Sequence, residues 1–270
     1  MDLGITNRAA IVTGSSKGIG RATAERLAAE GANVVTNARA EGRAEEVAAA
    51  IRDDGGTAIA VGADITDPAD AARLVEETVD EFGTVDILVN NAGTVGSEKT
   101  FHEIPMEEWE EVYDLNLFGT VRVTKEALPY MREQEWGRIV MVASEAGTQP
   151  DDYKSHYDSS KAAVINLTKN LAKTYSAEGV LVNAVSPATS LTPLVEDLFE
   201  ERAAEEDKSV EQVQREFVEN EKPGVVKGLG RLGEPEESAD VIAFLASERA
   251  SYVTGANYRV DGGSVFTMDA

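Results

Sequence analysis

Short, uniformly apolar runs alternate along the whole chain with longer stretches in which apolar positions recur every three or four residues. Arg8 to Thr13, Asn33 to Thr36, Thr57 to Val61, Asp86 to Asn90, Gly137 to Val142 and Val180 to Val185 read as strands buried on both faces. Ile19 to Glu30, Arg43 to Asp53 and Ala69 to Phe82 are Ala-rich and amphipathic, and read as helices. Strand, helix, strand repeated in this way demands right-handed crossovers, so the pattern predicts an α/β protein with a doubly wound parallel sheet and helices on both faces. Asp67-Pro68 supplies an N-cap followed by proline at the first helical position, Glu234-Pro235-Glu236-Glu237 resembles it, and Gly31 and Gly83 sit where helices should end. No linker or repeat interrupts the alternation, which predicts a single domain over residues 1–270.

One segment breaks the rhythm. Between Thr192 and Asn220, ten acidic residues are set among Leu194, Val195, Leu198, Phe199, Val210, Val213, Phe217 and Val218. The spacing predicts one or two helices, broken near Lys208-Ser209, inside a helical insertion at about 192–228. Two readings stay open: a solvated acidic face, or a mobile lid over a cleft.

Composition narrows the field of functions. The 270 residues carry 49 Asp plus Glu against 25 Lys plus Arg, a formal charge of −24 that repels nucleic acid and anionic membrane surfaces. Acidity spread along the whole chain, with Arg outnumbering Lys, points to adaptation to high salt, where screening weakens self-repulsion; an ordinary acidic protein is the alternative. Cysteine is absent, which removes disulfides and thiolate metal sites, and only His102 and His156 could add imidazole, so no metal is expected. No basic-then-apolar leader and no apolar run long enough to span a bilayer is seen, and a cytoplasmic protein is expected.

Two motifs carry candidate chemistry. Thr13-Gly14-Ser15-Ser16-Lys17-Gly18-Ile19-Gly20 follows the first strand and opens the first helix. Its glycines permit a tight turn and close approach of a pyrophosphate to free N–H groups, although a plain glycine-rich strand-to-helix turn has the same look. Tyr157-Asp158-Ser159-Ser160-Lys161 places a phenol and an ammonium one helical turn apart, where the cation favours phenolate and brings proton exchange closer to neutral pH. Either motif alone is weak.

Together with Asn90-Asn91-Ala92-Gly93, Asn116 and Ser144, 13 residues before Tyr157, they occur in the order and spacing of the short-chain dehydrogenase/reductase family. Arg231 to Glu237, Ser251 to Gly255 and Val260 to Gly263 make the chain resemble the 3-oxoacyl-reductase branch, over essentially its whole length. The resemblance implies a Rossmann-type fold and assigns roles. Tyr157 would be the general acid in reduction and base in oxidation, and Ser144 would hydrogen-bond the substrate oxygen. Lys161 would bind the nicotinamide ribose and lower the Tyr157 pKa, and Asn116 would hold a water in a proton relay. Gly14, Ser16, Ile19 and Gly20 would line the pyrophosphate, Asp64 and Ile65 the adenine, Asn90, Ala92 and Gly93 the adjoining ribose. Pro187, Ser190 and Thr192 would meet the nicotinamide, even though Ala188 stands where the family usually has glycine.

At the end of the second strand, Thr36-Asn37-Ala38-Arg39 lacks the acid that NAD-preferring members use for the ribose hydroxyls. With Arg39 and Lys17 available for a 2′-phosphate, NADP(H) is expected as the preferred cofactor and NAD(H) as the lesser one. By the same argument, Arg39→Ala with Asn37→Asp should shift preference toward NADH. Thr94, Val95, Gly96, Glu145, Gln149, Pro150, Tyr153 and His156 are candidate pocket positions. The expected substrate is a small carbonyl or secondary alcohol of the 3-oxoacyl type. A sugar or polyol dehydrogenase is the alternative, favoured by a polar pocket edge, and a non-catalytic dinucleotide sensor is the remote one. The resemblance also implies a homotetramer assembled through helices over Met106 to Met131 and Tyr157 to Ala177 and a strand near Tyr258 to Val260.

Overall fold

A computed structural model describes residues 2–221 and 228–265 of the chain. Seven parallel strands form one sheet in the order β3-β2-β1-β4-β5-β6-β7. In chain order these are β1 (Ala9–Val12), β2 (Asn33–Ala38), β3 (Thr57–Gly62), β4 (Ile87–Asn90), β5 (Gly137–Val142), β6 (Val180–Pro187) and β7 (Asn257–Val260). Every residue of β1, β4 and β5 is buried, as continuous apolar runs between two helical layers require. The strands fall within one or two residues of their predicted limits.

The first helices, α1 (Gly18–Ala29), α2 (Glu41–Asp53) and α3 (Pro68–Phe82), are the crossovers from β1 to β2, from β2 to β3 and from β3 across to β4. The α3 start follows the predicted signal: the Asp67 carboxylate accepts from the N–H groups of Ala69 and Asp70, with Pro68 at the first helical position. Two apolar clusters fill the space on either side of the sheet. One joins Leu27, Val34, Ile51, Val89 and Ile242; the other joins Ile11, Leu74, Leu88, Met131, Ile139 and Val182.

The predicted Met106 to Met131 helix is divided. It runs as α4 (Met106–Tyr113), a π turn over Asp114–Gly119, and α5 (Thr120–Glu133). The extra residue in a π turn rotates the following side chains, and Asn116 sits inside it. After β5 comes α6 (Ser155–Tyr175), which starts two residues earlier than predicted. The acidic segment forms α7 (Pro193–Glu206) and α8 (Val210–Glu216), separated by Asp207 in a left-handed conformation, Lys208 and Ser209. Phe199, Ala203, Val213, Phe217 and Leu232 give it a small core of its own, with the Phe199 and Phe217 rings edge to face at 5.3 Å, while its acidic positions Glu196, Asp197, Glu200 and Glu201 face solvent. The part of the predicted insertion at 222–227 lies outside the described residues. The last helix, α9 (Pro235–Leu245), carries the Glu234/Glu237 capping box and packs on α1.

Strand order reverses between β1 and β4. Ligands of open parallel sheets bind outside the carboxyl ends of the strands at such a reversal. All the predicted site residues lie on that edge or on the elements that overhang it.

Candidate active site

At the reversal point, Gly14 takes φ +62°, and a Cβ there would stand 2.8 Å from Ala92 Cα. A side chain on Gly20 would overlap both Asn91 Nδ2 and the Gly14 carbonyl. Both glycines are needed for the loop to lie flat against the end of β4. Thr13 and Asn91 hold the two loops together: the Thr13 hydroxyl accepts from the N–H groups of Asn91 (2.9 Å) and Ala92 (3.1 Å), and Asn91 Nδ2 donates to the carbonyls of Thr13 and Gly14. Neither was assigned a role from sequence, although both stand within the quoted motifs. Ser16 and Ile19 are partly exposed on the loop, with Ile19 packed on the core beneath.

The proton-handling residues converge next to it. Gly93 is exposed, and a Cβ on it would come within 3.1 Å of Asn116 Oδ1 and 3.4 Å of Lys161 Nζ. Asn116 is fixed from three directions. Its Oδ1 accepts from Thr94 N (2.8 Å), and its Nδ2 donates to Thr94 O (2.9 Å) and Ser160 Oγ (3.0 Å). Thr94 is therefore a strap between β4 and the π turn. Ser160 supports the site without having left any signal in the sequence. Lys161 is buried, and Nζ donates to Val142 O at 2.9 Å. Removal from water lowers its pKa to about 8.

Ser144, two residues past the end of β5, sets its hydroxyl near enough to the Tyr157 phenol to favour the phenolate. Burial pushes the phenol pKa above its ordinary value; the Ser144 hydroxyl and the Lys154 ammonium pull it down, and the Asp158 and Glu145 carboxylates add to the rise. Lys161 Nζ lies 5.8 Å from the Tyr157 ring centroid. Asn116, Ser144, Tyr157 and Lys161, from three separate elements, thus form one cluster around the open face of Gly93.

Several positions differ from expectation. Asn90 turns into the core, with Nδ2 donating to Thr124 Oγ1 and Met141 Sδ, because the strand's alternation directs its side chain toward α5. Ile65 is buried against Gly119 and leaves only its main chain at the edge, whereas Asp64 is partly exposed and takes the Thr66 N–H and hydroxyl. His156 is not a pocket residue. It is fully buried, with Nε2 3.3 Å from Glu108 Oε1 and its ring against Trp109. Glu108 also takes the Ser97 N–H and hydroxyl, which hold its pKa down at about 2. Glu145, predicted at the pocket edge, is bonded through Oε2 to the Ser264 hydroxyl.

Asn37 is buried too. Its Nδ2 donates to Val61 O and Ala63 O, both at 3.1 Å, and its Oδ1 accepts from Gly14 N. An aspartate at this position would set a carboxylate against two carbonyl oxygens, so Asn37→Asp is expected to destabilise the fold and not to reach a ribose. Ala38, the next residue and on the opposite face of β2, is the partly exposed one. Arg39 and Lys17 are exposed, and among the described residues neither makes an ion pair.

On the far side, Pro187 ends β6 opposite Val260 of β7. Ala188 needs no glycine, since the non-glycine residues with positive φ among those described are Asn7, Glu135 and Asp207. Ser190 bridges Gly233, and Leu191 N donates to Gly233 O, which explains why the Arg231 to Glu237 motif accompanies this loop. Thr192 reaches the glycine loop, with its Cγ2 3.0 Å from a Cβ built on Gly18. The geometry fits a dinucleotide: glycine-lined approach at β1, an open glycine at β4, a buried ammonium beneath it, and a threonine closing the other side.

The chain matches the short chain dehydrogenase family over residues 8–203. It is 41% identical over 256 residues to cis-4-hydroxycyclohexanecarboxylate dehydrogenase of Sinomonas cyclohexanicum, covering 95% of this chain and 96% of the relative. It is 38% identical over 263 residues to a 3-oxoacyl-[acyl-carrier-protein] reductase of Synechocystis sp., covering 97% and 98%. Among solved structures, L-sorbose reductase of Gluconobacter frateurii, crystallised with NADPH and L-sorbose, superposes with a TM-score of 0.93 at 35% identity, over 99% of this chain and all of that one. The chain belongs to the short-chain dehydrogenase family and is a nicotinamide-dependent oxidoreductase of CH–OH groups or the corresponding carbonyls.

Proposed function

We propose that the protein is an NADP(H)-dependent reductase of ketones, of the 3-oxoacyl type or a near relative of it, with Asn116, Ser144, Tyr157 and Lys161 as its proton-handling residues. The observation that carries this is the convergence of Asn116 and Lys161 on the open face of Gly93, with the Tyr157 ring 5.8 Å from Lys161 Nζ and Ser144 facing the phenol. Bound there, the nicotinamide supplies or accepts a hydride at C4. The Tyr157 hydroxyl gives its proton to the oxygen being reduced, or takes it from the alcohol, and Ser144 orients that oxygen by a hydrogen bond. Lys161 holds ribose hydroxyls, and Asn116 keeps Thr94 and Ser160 in place around the path by which the proton is replaced. Gly14, Ser16, Ile19 and Gly20 face the pyrophosphate, Asp64 and the Ile65 main chain the adenine. Ala92 and Gly93 face the ribose, and Pro187, Ser190 and Thr192 the nicotinamide. The preference for NADP(H) rests on two exposed cations, Lys17 and Arg39, and on the absence of a carboxylate at Asn37 or Ala38. The NADPH bound in the sorbose reductase crystal agrees with it.

Sugar or polyol dehydrogenation is the second reading, favoured by the likeness to that same reductase and by Glu145 and Gln149 near Ser144. A panel of ketones, oxoacyl thioesters and ketoses or aldoses, assayed with both cofactors in molar salt, separates them. Higher kcat/KM for ketones or oxoacyl thioesters supports the first reading, and a clear preference for sugars replaces it with the second. A pure sensor is disfavoured by an intact proton-handling set, and no described helix is long and apolar enough to cross a membrane.

The same reading extends to assembly and source. Exposed Phe118, half-exposed Val121 and the hollow they line with Leu117, Ala163, Asn166 and Leu167 put an apolar face on α5 and α6 for a second copy of the chain. We expect a homotetramer of a salt-adapted protein. Sedimentation in molar KCl should show the tetramer. At low ionic strength the −24 charge per chain is unscreened and subunits should separate. A monomer at molar salt contradicts this.

A further inference from the structure

Lys154, three residues before Tyr157, belongs to none of the motifs above. It stands at the start of α6 with its side chain only 12% exposed, and Nζ makes a 2.7 Å ion pair with Asp151 Oδ2. The ammonium lies between two phenol rings, 5.7 Å from the Tyr153 centroid and 5.5 Å from that of Tyr157. Lys161 lies slightly farther from the Tyr157 ring, at 5.8 Å, and is bonded to the Val142 carbonyl. A lysine side chain has four rotatable bonds and ordinarily keeps its charge in water. Here it is folded back over the reacting phenol instead.

We propose that Lys154 is a second cation that poises Tyr157, a positioning residue for the proton step held in place by Asp151 and the two rings. The inference rests on Tyr157 being the acid–base group. The charges that face Tyr157 are Lys154, Asp158 and Lys161 on α6, Glu145 on the loop after β5, and Asp151 behind Lys154. Burial opposes phenolate formation most, and two carboxylates, Asp158 and Glu145, add to it. Lys161 is itself so desolvated that its pKa falls to about 8, so in alkaline solution its positive charge fades where the phenolate needs it. Lys154 supplies a second cation at a similar distance from the ring. Asp151 fixes its position and, being negative, tempers its effect.

The test compares wild type with Lys154→Met, which keeps length and removes charge, with Lys154→Arg, which keeps charge, and with Asp151→Asn. In the alcohol-oxidising direction kcat/KM rises with pH as Tyr157 ionises. Loss of the cation raises the phenol pKa, so in Lys154→Met the rising limb should move up by about one pH unit. Lys154→Arg should restore the wild-type limb, and Asp151→Asn should leave it in place or move it down. The same order should appear without cofactor in the tyrosinate absorbance, read as the difference between each variant and its Tyr157→Phe counterpart. A limb and a tyrosinate titration unmoved in Lys154→Met overturn the proposal, and so does a rise in KM confined to anionic substrates with an unmoved limb, which would make Lys154 a reader of substrate charge. Undiminished turnover in Tyr157→Phe is a separate outcome, which removes the acid–base reading itself.

Discussion

Tyr157→Phe is expected to reduce turnover about a hundred- to ten-thousand-fold while cofactor binding stays nearly unchanged. The variant keeps the ring, and with it the packing beside Lys154 and Lys161, and deletes only the hydroxyl that exchanges the proton. Lys161 retains its bond to Val142 O, so the group proposed to hold the ribose is undisturbed. Ser144 continues to accept from Ala146 N at 3.2 Å. Steady-state turnover beside fluorescence titration of the reduced cofactor checks both halves. Loss of binding together with turnover would mean that Tyr157 is structural.

The second large effect concerns cofactor choice. Lys17 and Arg39 are exposed, so each charge-assisted contact with a 2′-phosphate is discounted for solvent, to about five-fold in affinity apiece. Together they should give wild type a preference for NADPH of about an order of magnitude or more. Ala38→Asp with Arg39→Ala should reverse it, because the new carboxylate at the partly exposed end of β2 repels the phosphate and accepts from free ribose hydroxyls. Asn37→Asp should not do so, since its side chain is enclosed by Val61 O and Ala63 O. The ratio of kcat/KM with NADPH to that with NADH, in molar KCl, reads the effect. A wild type that favours NADH would show that the basic pair does not read the phosphate. Direct hydrogen-bonded pairing should survive at that salt, where the Debye length is about 3 Å.

The strands were legible because a strand buried on both faces has to be apolar throughout, and the glycine loop because only glycine permits the contacts at Gly14 and Gly20. The long α4 to α5 run was not read correctly. A π turn adds one residue without altering composition, and the apolar spacing on either side still resembles one helix. Side-chain direction at a strand end was also hidden. Asn37 and Asn90 read as edge residues, yet both turn inward to satisfy buried backbone or hydroxyl partners. His156 adjoins Tyr157 in sequence, but on a helix neighbours point about 100° apart, and it packs under α4 against Glu108. Lys154 escaped for a related reason: Asp151 and Lys154 precede the helix, where a three-residue spacing sets no common face.

Hydride transfer is read most directly from where a deuterium goes. Wild type should be incubated in molar KCl with NADPH doubly deuterated at nicotinamide C4 and a ketone that the substrate panel has shown to be turned over, and the alcohol analysed by mass spectrometry. One deuterium should be found on the carbinol carbon, with the hydroxyl proton drawn from solvent, and transfer should fall with turnover in Tyr157→Phe. Turnover of that ketone with no deuterium on the carbinol carbon, or undiminished delivery by Tyr157→Phe, would contradict it.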